Sequence, residues 1–310
     1  GAQGGGTAGA LDIDAAHGDV SLGASLRGGA ASGRSGGSFT LDSAGAVDLD
    51  ALASLLGSGG VNGKLAIQTG SGNLSLSAGR SLSADSISLS ATGGAGGYAD
   101  AQGHVVILGT LNVSGEKGGD IALFGRSGVD VQGALIATGS STSERGGNIT
   151  LATTGSGNGT LNAQYGYQNV DAEDSGRITI GNNARLDVSG GSSGGLSGGR
   201  LSLRAPLLAD GDVGVDVAPS GAIIGAREVT LESYATWSSA DTGGGATHFD
   251  GIVDPAGGYT AAGKAAESTN ADHAAFYQTT LRDFVQQPGF AFEERLGFID
   301  HLVVRPGIDL

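Results

Sequence analysis

The sequence predicts an all-β chain wound as a three-sided parallel β-helix, with a partly α-helical insertion near the C-terminus. Three observations carry that expectation. Glycine fills 61 of 310 positions, short runs of alternating apolar and polar residues recur along the chain, and the starts of the clearest runs keep a nearly constant spacing. Alternation at every second residue marks strands with one buried face. Repetition at a fixed spacing marks a solenoid, whose units bury their apolar faces only by stacking on one another.

The runs are GGSFTL (Gly36 to Leu41), GKLAI (Gly63 to Ile67), SISLS (Ser86 to Ser90), GGDIAL (Gly118 to Leu123), GGNITL (Gly146 to Leu151), SGRITI (Ser175 to Ile180), GGRLSL (Gly198 to Leu203) and REVTL (Arg227 to Leu231). Ile121 to Ile149 is 28 residues, Ile149 to Ile178 is 29, Ile178 to Leu201 is 23 and Leu201 to Val229 is 28, each counted as one turn of the solenoid. Within a turn, Ile121 and Leu123 are followed by Val129 and Val131, then by Leu135 and Ala137. Glycines Gly125, Gly128, Gly133 and Gly139 separate these pairs, which predicts three short strands joined by corners. Stacking such turns about 4.8 Å apart satisfies the strand amides and buries a column of Leu, Ile, Val and Ala. Roughly nine to eleven turns would span some 45 to 55 Å. Glycine suits corners that need positive φ, and Asn112, Asp130, Asn182, Asn183 and Asp187 are the side chains expected to share that duty. A propeller or sandwich is the competing β architecture. It needs hairpin turns, for which Asn182-Asn183 and Asp210-Gly211 are the candidates.

The character changes near Tyr234, since 10 of the 15 aromatic residues lie from there onward. Ala271 to Gln287 places Tyr277, Leu281, Phe284 and Val285 on one helical face, with Thr269 or Asn270 as N-cap and Pro288-Gly289 as the stop. Leu302 to Val304 and Ile308 resume the strand pattern. The chain therefore divides into a repeat shaft over 1–233, an aromatic-rich and partly helical insertion over 234–301, and a return strand over 302–310. Within the insertion, Trp237, Phe249, Tyr259 and Phe290 form the candidate interaction surface, because clustered exposed apolar side chains mark contact sites.

Composition removes several function classes. Lys and Arg number 16 against 31 Asp and Glu, a net charge of -15 that repels nucleic acid phosphates. No apolar run approaches the roughly 18 residues of a membrane helix, and the glycines lack the period of collagen. With no cysteine, disulfides, thiolate metal sites and cysteine nucleophiles are absent. Gly1 to Ala10 has neither the basic nor the apolar region of a signal peptide, and the chain reads as a segment of a longer precursor.

NARLDVSGGSSGGLSGGRLSLRAPLL (Asn183 to Leu208), GAIIGAREVTLESYATW (Gly221 to Trp237) and LVVRPGIDL (Leu302 to Leu310) resemble the large exoproteins of two-partner secretion, the filamentous haemagglutinin-like family. The likeness covers about 130 residues, and the glycine-rich repeats upstream fit it; the family's N-terminal secretion domain has no counterpart here. The resemblance implies a right-handed β-helical shaft exported from a Gram-negative cell through an outer-membrane β-barrel transporter, then displayed on the cell surface or released. A cysteine-free chain with local contacts suits that route, because each turn can fold on the edge of the one before.

Sites for chemistry are sparse. GYTAAGK (Gly258 to Lys264) approaches a phosphate loop, but Ala265 stands where a metal-binding Ser or Thr belongs. GGAGGYADA (Gly93 to Ala101) lacks the aspartate of a calcium nonapeptide. Asp171, Glu173 and Asp174 form a small acidic group with oxygen ligands for a hard cation, which reads more simply as a charged corner. Polysaccharide-cleaving enzymes also use β-helices and need converging carboxylates. Asp210 with Asp212 and Asp48 with Asp50 are the candidate pairs, both placed on solvent-facing strand positions. His248 with Asp250, and Asp300 with His301, invite a metal or triad reading, yet no serine sits in a nucleophile elbow. Asn73, Asn112, Asn148 and Asn158 head Asn-x-Ser/Thr triplets.

The expectation for function is a rigid extracellular shaft serving adhesion, self-assembly or presentation of a distal tip, without cofactor, metal or catalytic residues. A glycan- or protein-binding module using residues 234–298 is the alternative, and a β-helical polysaccharide-degrading enzyme the weaker one. The partners that follow are the export barrel, a host or bacterial surface glycan or protein, and further copies of the chain.

Overall fold

A computed structural model describes residues 8–23, 25–93, 102–140, 143–154, 176–191, 197–208, 211–219, 222–236 and 295–309. Strands β1 (Ala10–Ala15) and β2 (Ser38–Ser43) precede helix α1 (Leu49–Gly59). Five circuits of three strands follow. They are β3 (Lys64–Thr69), β4 (Leu74–Leu76) and β5 (Ser81–Ser83); β6 (Ser86–Ala91), β7 (His104–Ile107) and β8 (Thr110–Asn112); β9 (Asp120–Gly125), β10 (Gly128–Val131) and β11 (Ala134–Ile136); β12 (Asn148–Thr153), β13 (Arg177–Ile180) and β14 (Arg185–Asp187); and β15 (Arg200–Pro206), β16 (Val215–Val217) and β17 (Ala222–Ile224). β18 (Glu228–Thr236) and β19 (Leu302–Asp309) complete the described strands. The fold is mostly β, with parallel sheets and one helix among the described residues.

Each circuit gives one strand to each of three sheets. The first sheet runs β1-β2-β3-β6-β9-β12-β15-β18-β19, the second β16-β13-β10-β7-β4 and the third β17-β14-β11-β8-β5. All the ladders are parallel. Register keeps like residues above one another. Phe39, Leu65, Ile87, Ile121, Ile149, Leu201 and Val229 make one inward column, and Leu41, Ile67, Leu89, Leu123, Leu151, Leu203 and Leu231 the next. All are at most 2% exposed. Leu82, Leu111, Leu135 and Leu186 stack in the third sheet, and side chains of all three sheets join one apolar cluster. Each fully buried aliphatic side chain contributes about 1.5–3 kcal/mol. A third inward column of the first sheet runs through Ser43, Thr69, Ala91, Gly125 and Thr153, small residues at the point where the chain turns. The Thr69 and Thr153 hydroxyls donate to the Gly45 and Gly176 carbonyls, each at 2.7 Å, and so satisfy corner backbone that the ladders do not reach.

Four sequence expectations need correction. Ile178 does not begin a new turn. It lies in the second sheet against Val129 and Val215, and the next rung above Ile149 in the first sheet is Leu201, 52 residues on. Spacing alone misassigned it because ITI and ITL runs look alike in both sheets. Second, Gly125, Gly128, Gly133 and Gly139 do not have positive φ. Close backbone keeps them small: a Cβ on Gly133 would fall on the Gly109 carbonyl oxygen of the circuit before, and one on Gly125 on the Gly128 carbonyl oxygen of its own circuit. Third, the described Asn and Asp corner residues keep negative φ, since His301 is the only non-glycine with positive φ among the described residues. Asp130 and Asp187 lie in strands, and the Asn112 carboxamide accepts the Ser114 N–H at 2.9 Å instead. Fourth, Asn182-Asn183 joins strands of two different sheets rather than a hairpin, and beside Gly211 one antiparallel bridge, Leu207 to Val213, forms without a ladder.

The chain also contains a helix that alternation hid. Asp48 accepts the Ala51 N–H at 3.0 Å as N-cap of α1, and Gly60 ends the helix in the left-handed region with φ 67°. Leu49, Leu52, Ala53 and Leu56 form its buried face, at the spacing one side of a helix requires. α1 occupies the circuit between β2 and β3 and packs on β4 and β5, the edge strands of the second and third sheets. At the other end a short helical turn at residues 295–300 buries Leu296 and Ile299 in the same cluster, beside the opposite edge strands β16 and β17. Apolar rungs that no further strand covers are thus covered by helical side chains at both ends. β18 runs through the 233/234 boundary to Thr236 and buries Tyr234; β19 pairs with β18 in parallel. The predicted helix over 271–287 lies outside the described residues.

Candidate functional site

Alternation that sends Leu, Ile and Val inward sends a second set of side chains outward, and these are the residues available for contact. On the first sheet the middle outward column is Thr40, Ala66, Ser88, Ala122, Thr150, Ser202 and Thr230, a flat series of short side chains. Charges gather toward its C-terminal end. Arg204 reaches Glu232 at 3.1 Å and Asp309 at 2.5 Å, and its guanidinium lies 4.1 Å from the centroid of the Tyr234 ring. Burial works against the Arg204 cation, but Asp309 and Glu232 outweigh it and hold its pKa above the ordinary value. Arg200 and Arg305 approach Glu228 at 3.7 and 3.8 Å.

A second charged group fastens the start of the 295–309 stretch. Arg295 donates to Asp212 at 2.7 Å, to Asp216 at 3.3 Å and to the Val215 carbonyl at 2.8 Å, while Arg177 holds Asp216 at 3.1 Å. A guanidinium suits this position because its planar fork serves carboxylates and edge-strand carbonyls together. In the third sheet, Asp187 is buried yet satisfied by the Ser189 N–H at 3.0 Å and by Arg185 at 2.7 Å. Burial alone would raise its carboxyl; the Ser189 and Arg185 contacts prevail and lower it.

A cavity of about 580 Å3 opens between the Ser189–Gly191 corner, β17 and the turn that carries Phe298, Asp300 and His301. Its size matches small-ligand pockets, and half-exposed Phe298 supplies an apolar surface. His301 has φ 59°, and its carbonyl accepts the Val229 N–H at 3.0 Å, so the strained turn before β19 is fixed to β18.

Of the residues singled out in the sequence, Trp237, Phe249, Tyr259 and Phe290 lie outside the described residues, as do His248, Asp250, Asp171, Glu173, Asp174, Asp210, Asn158 and the Gly258 to Lys264 run. Asp48 and Asp50 are not strand carboxylates. They belong to the start of α1, where Asp50 accepts the Ser77 N–H at 2.9 Å; the Ser77 side chain first and this N–H second lower its pKa. Asp212 is held by Arg295, and its candidate partner Asp210 lies outside the described residues. Asn73 accepts the His104 N–H at 2.9 Å, and Asn148 donates to Asp120 at 2.7 Å. No group of three or more His, Asp or Glu side chains suited to a metal occurs among the described residues, and no described helix is long and apolar enough to cross a membrane. Sequence reasoning missed Arg295, whose acidic partners lie 79 and 83 residues away, and the Arg204–Asp309 pair, 105 residues apart, which leave no local signal. No family model, curated protein or solved structure matches the chain.

Proposed function

We propose that the chain is a right-handed, three-sided parallel β-helix serving as the rigid shaft of a secreted or surface-displayed exoprotein of the filamentous haemagglutinin-like, two-partner type. The observation that carries this is the cyclic order of the sheets: β3, β6, β9, β12 and β15 each lead into a strand of the second sheet and then of the third, in register with the circuit before. Such a stack resists bending, because every rung shares ladders and apolar contacts with both neighbours. The outward face of short polar side chains and charge pairs suits a solvated rod. Nine strands in the first sheet at about 4.8 Å per rung give a reach near 40 Å.

In this reading the chain leaves a Gram-negative cell through an outer-membrane β-barrel transporter, and it serves adhesion, self-assembly or presentation of a distal tip. The test is export. The 310-residue chain is placed behind an N-terminal export domain of this secretion class and expressed with its barrel. Recovery of folded, protease-resistant chain outside the cell supports the proposal; degradation inside the periplasm despite a functional barrel contradicts it. A second reading, a glycan- or protein-binding module in residues 234–298, draws on the cavity beside Phe298 and His301 at the foot of that segment. Alanine at Phe298 that abolishes binding to cells while leaving export intact would favour it.

A further inference from the structure

The first sheet extends beyond the other two, by β1 and β2 at one end and by β18 and β19 at the other. Its last strands are unpaired on one side among the described residues, and they carry three of the five exposed large apolar side chains found there: Leu11, Val303 and Ile308. We propose that these edges are complementary and that copies of the chain join head to tail, with β19 of one copy pairing in parallel with β1 of the next. The inference rests on the stacked-circuit reading above and gives its self-assembly a defined joint.

One register satisfies faces, backbone and charge together. Continuing the columns of the sheet from β19 sets Leu302 against Leu11 and Val304 against Ile13 on the inward side, with Val303 against Asp12 and Arg305 against Asp14 outside. Backbone phase agrees. Val229 donates its N–H to the His301 carbonyl and Ser38 donates to the Gly9 carbonyl, so alternation leaves Leu302 and Val304 facing the free edge of β19, and Ala10, Asp12 and Asp14 facing that of β1. Leu302 and Val304 N–H then donate to the Ala10 and Asp12 carbonyls, while Asp12 and Asp14 N–H donate to the Leu302 and Val304 carbonyls. A slip of one residue would put Asp12 into the apolar column. Pro306 offers no N–H, and in this register it meets Ala15, the last residue of β1. The charge match is local: β1 carries Asp12 and Asp14 without a base, and Arg305 on β19 is well exposed. Because the two edges differ, the contact is heterologous and does not close at a dimer.

Sedimentation velocity over a range of chain concentrations, at physiological ionic strength, tests this. The expected result is a mean mass that rises without a plateau at dimer. Asp14→Lys should weaken association about tenfold, and adding Arg305→Glu to the same chain should restore it. Mixing the two single variants should restore growth beyond dimer, since every joint of an alternating chain then sets opposite charges at positions 14 and 305. Arg305→Glu also places a carboxylate near Glu228, so a second variant guards against misfolding. Asp12→Cys combined with Val303→Cys should give an oxidised ladder of oligomers, where either cysteine alone stops at dimers. A chain that stays monomeric, a closed dimer, or association indifferent to Asp14→Lys overturns the proposal. Amide exchange separates the two readings: slow exchange in β9 and β12 with no association sinks the joint alone, whereas fast exchange there sinks the stacked circuits and the joint together.

Discussion

Glycine at a single position decides how closely two circuits approach. A Cβ on Gly147 would fall on the Gly119 carbonyl oxygen, and one on Gly199 would fall on that of Gly147, so Gly119, Gly147 and Gly199 form a ladder that admits no side chain. Gly147→Ala should therefore destabilise the chain by about 1–3 kcal/mol or more through overpacking. Gly57 is the counter-case. It lies exposed within α1, has no positive φ, and a Cβ there meets nothing within 4 Å. Gly57→Ala should stabilise by about 0.5–1 kcal/mol, and urea unfolding of both variants checks the contrast.

A residue also sets a pH dependence. Burial pushes the His104 imidazole below its ordinary value of 6.5, against the opposing pull of Asp130. The folded chain then binds fewer protons here than the unfolded chain. The contribution is complete above pH 6.5 and declines as pH falls through and below that value. Unfolding measured at pH 5 and pH 7.5 should show lower stability at pH 5, and His104→Gln should reduce the difference. A larger stability at pH 5 traceable to His104 would contradict this.

At the scale of elements, the helical pieces act as end covers for the apolar column. Leu52→Ala should cost about 2–5 kcal/mol, and Asp48→Ala about 1 kcal/mol through loss of the N-cap. Both effects should be local, because each circuit touches only its neighbours: amide exchange should accelerate in β4 and β5 and leave β12 unchanged. Uniform acceleration would mean that the circuits unfold as one unit. The strands were legible because a buried face imposes period two, and every run quoted from the sequence coincides with a strand. α1 was missed although Leu49, Leu52, Ala53 and Leu56 carry its spacing, since Asp48 and Asp50 were read as alternating strand positions. Gly-Gly pairs precede the first-sheet strands β2, β9, β12 and β15, but β3, β6 and β18 lack them, so the single glycine before Ile178 did not by itself reveal its sheet.

For the whole molecule, composition already excluded thiol chemistry and made nucleic acid binding unfavourable, and periodicity led to stacked parallel strands. Long-range contacts left no trace in a single sequence. Arg295 binding Asp212 and Arg204 binding Asp309 depend on where the chain returns, which only the folded path decides. Trp237, Phe249, Tyr259 and Phe290, the expected contact residues, lie outside the described residues.

Pulsed electron paramagnetic resonance on pairs of spin labels tests the stacking directly, because a chain without cysteine accepts engineered ones cleanly. Thr40, Thr150, Ser202 and Thr230 share one outward column of the first sheet. At about 4.8 Å per rung, the separations from Thr40 should be roughly 19 Å to Thr150, 24 Å to Ser202 and 29 Å to Thr230. Equal increments, despite the unequal stretches of sequence between these residues, are the predicted result. Distances that fail to increase in that order would contradict the stacked circuits.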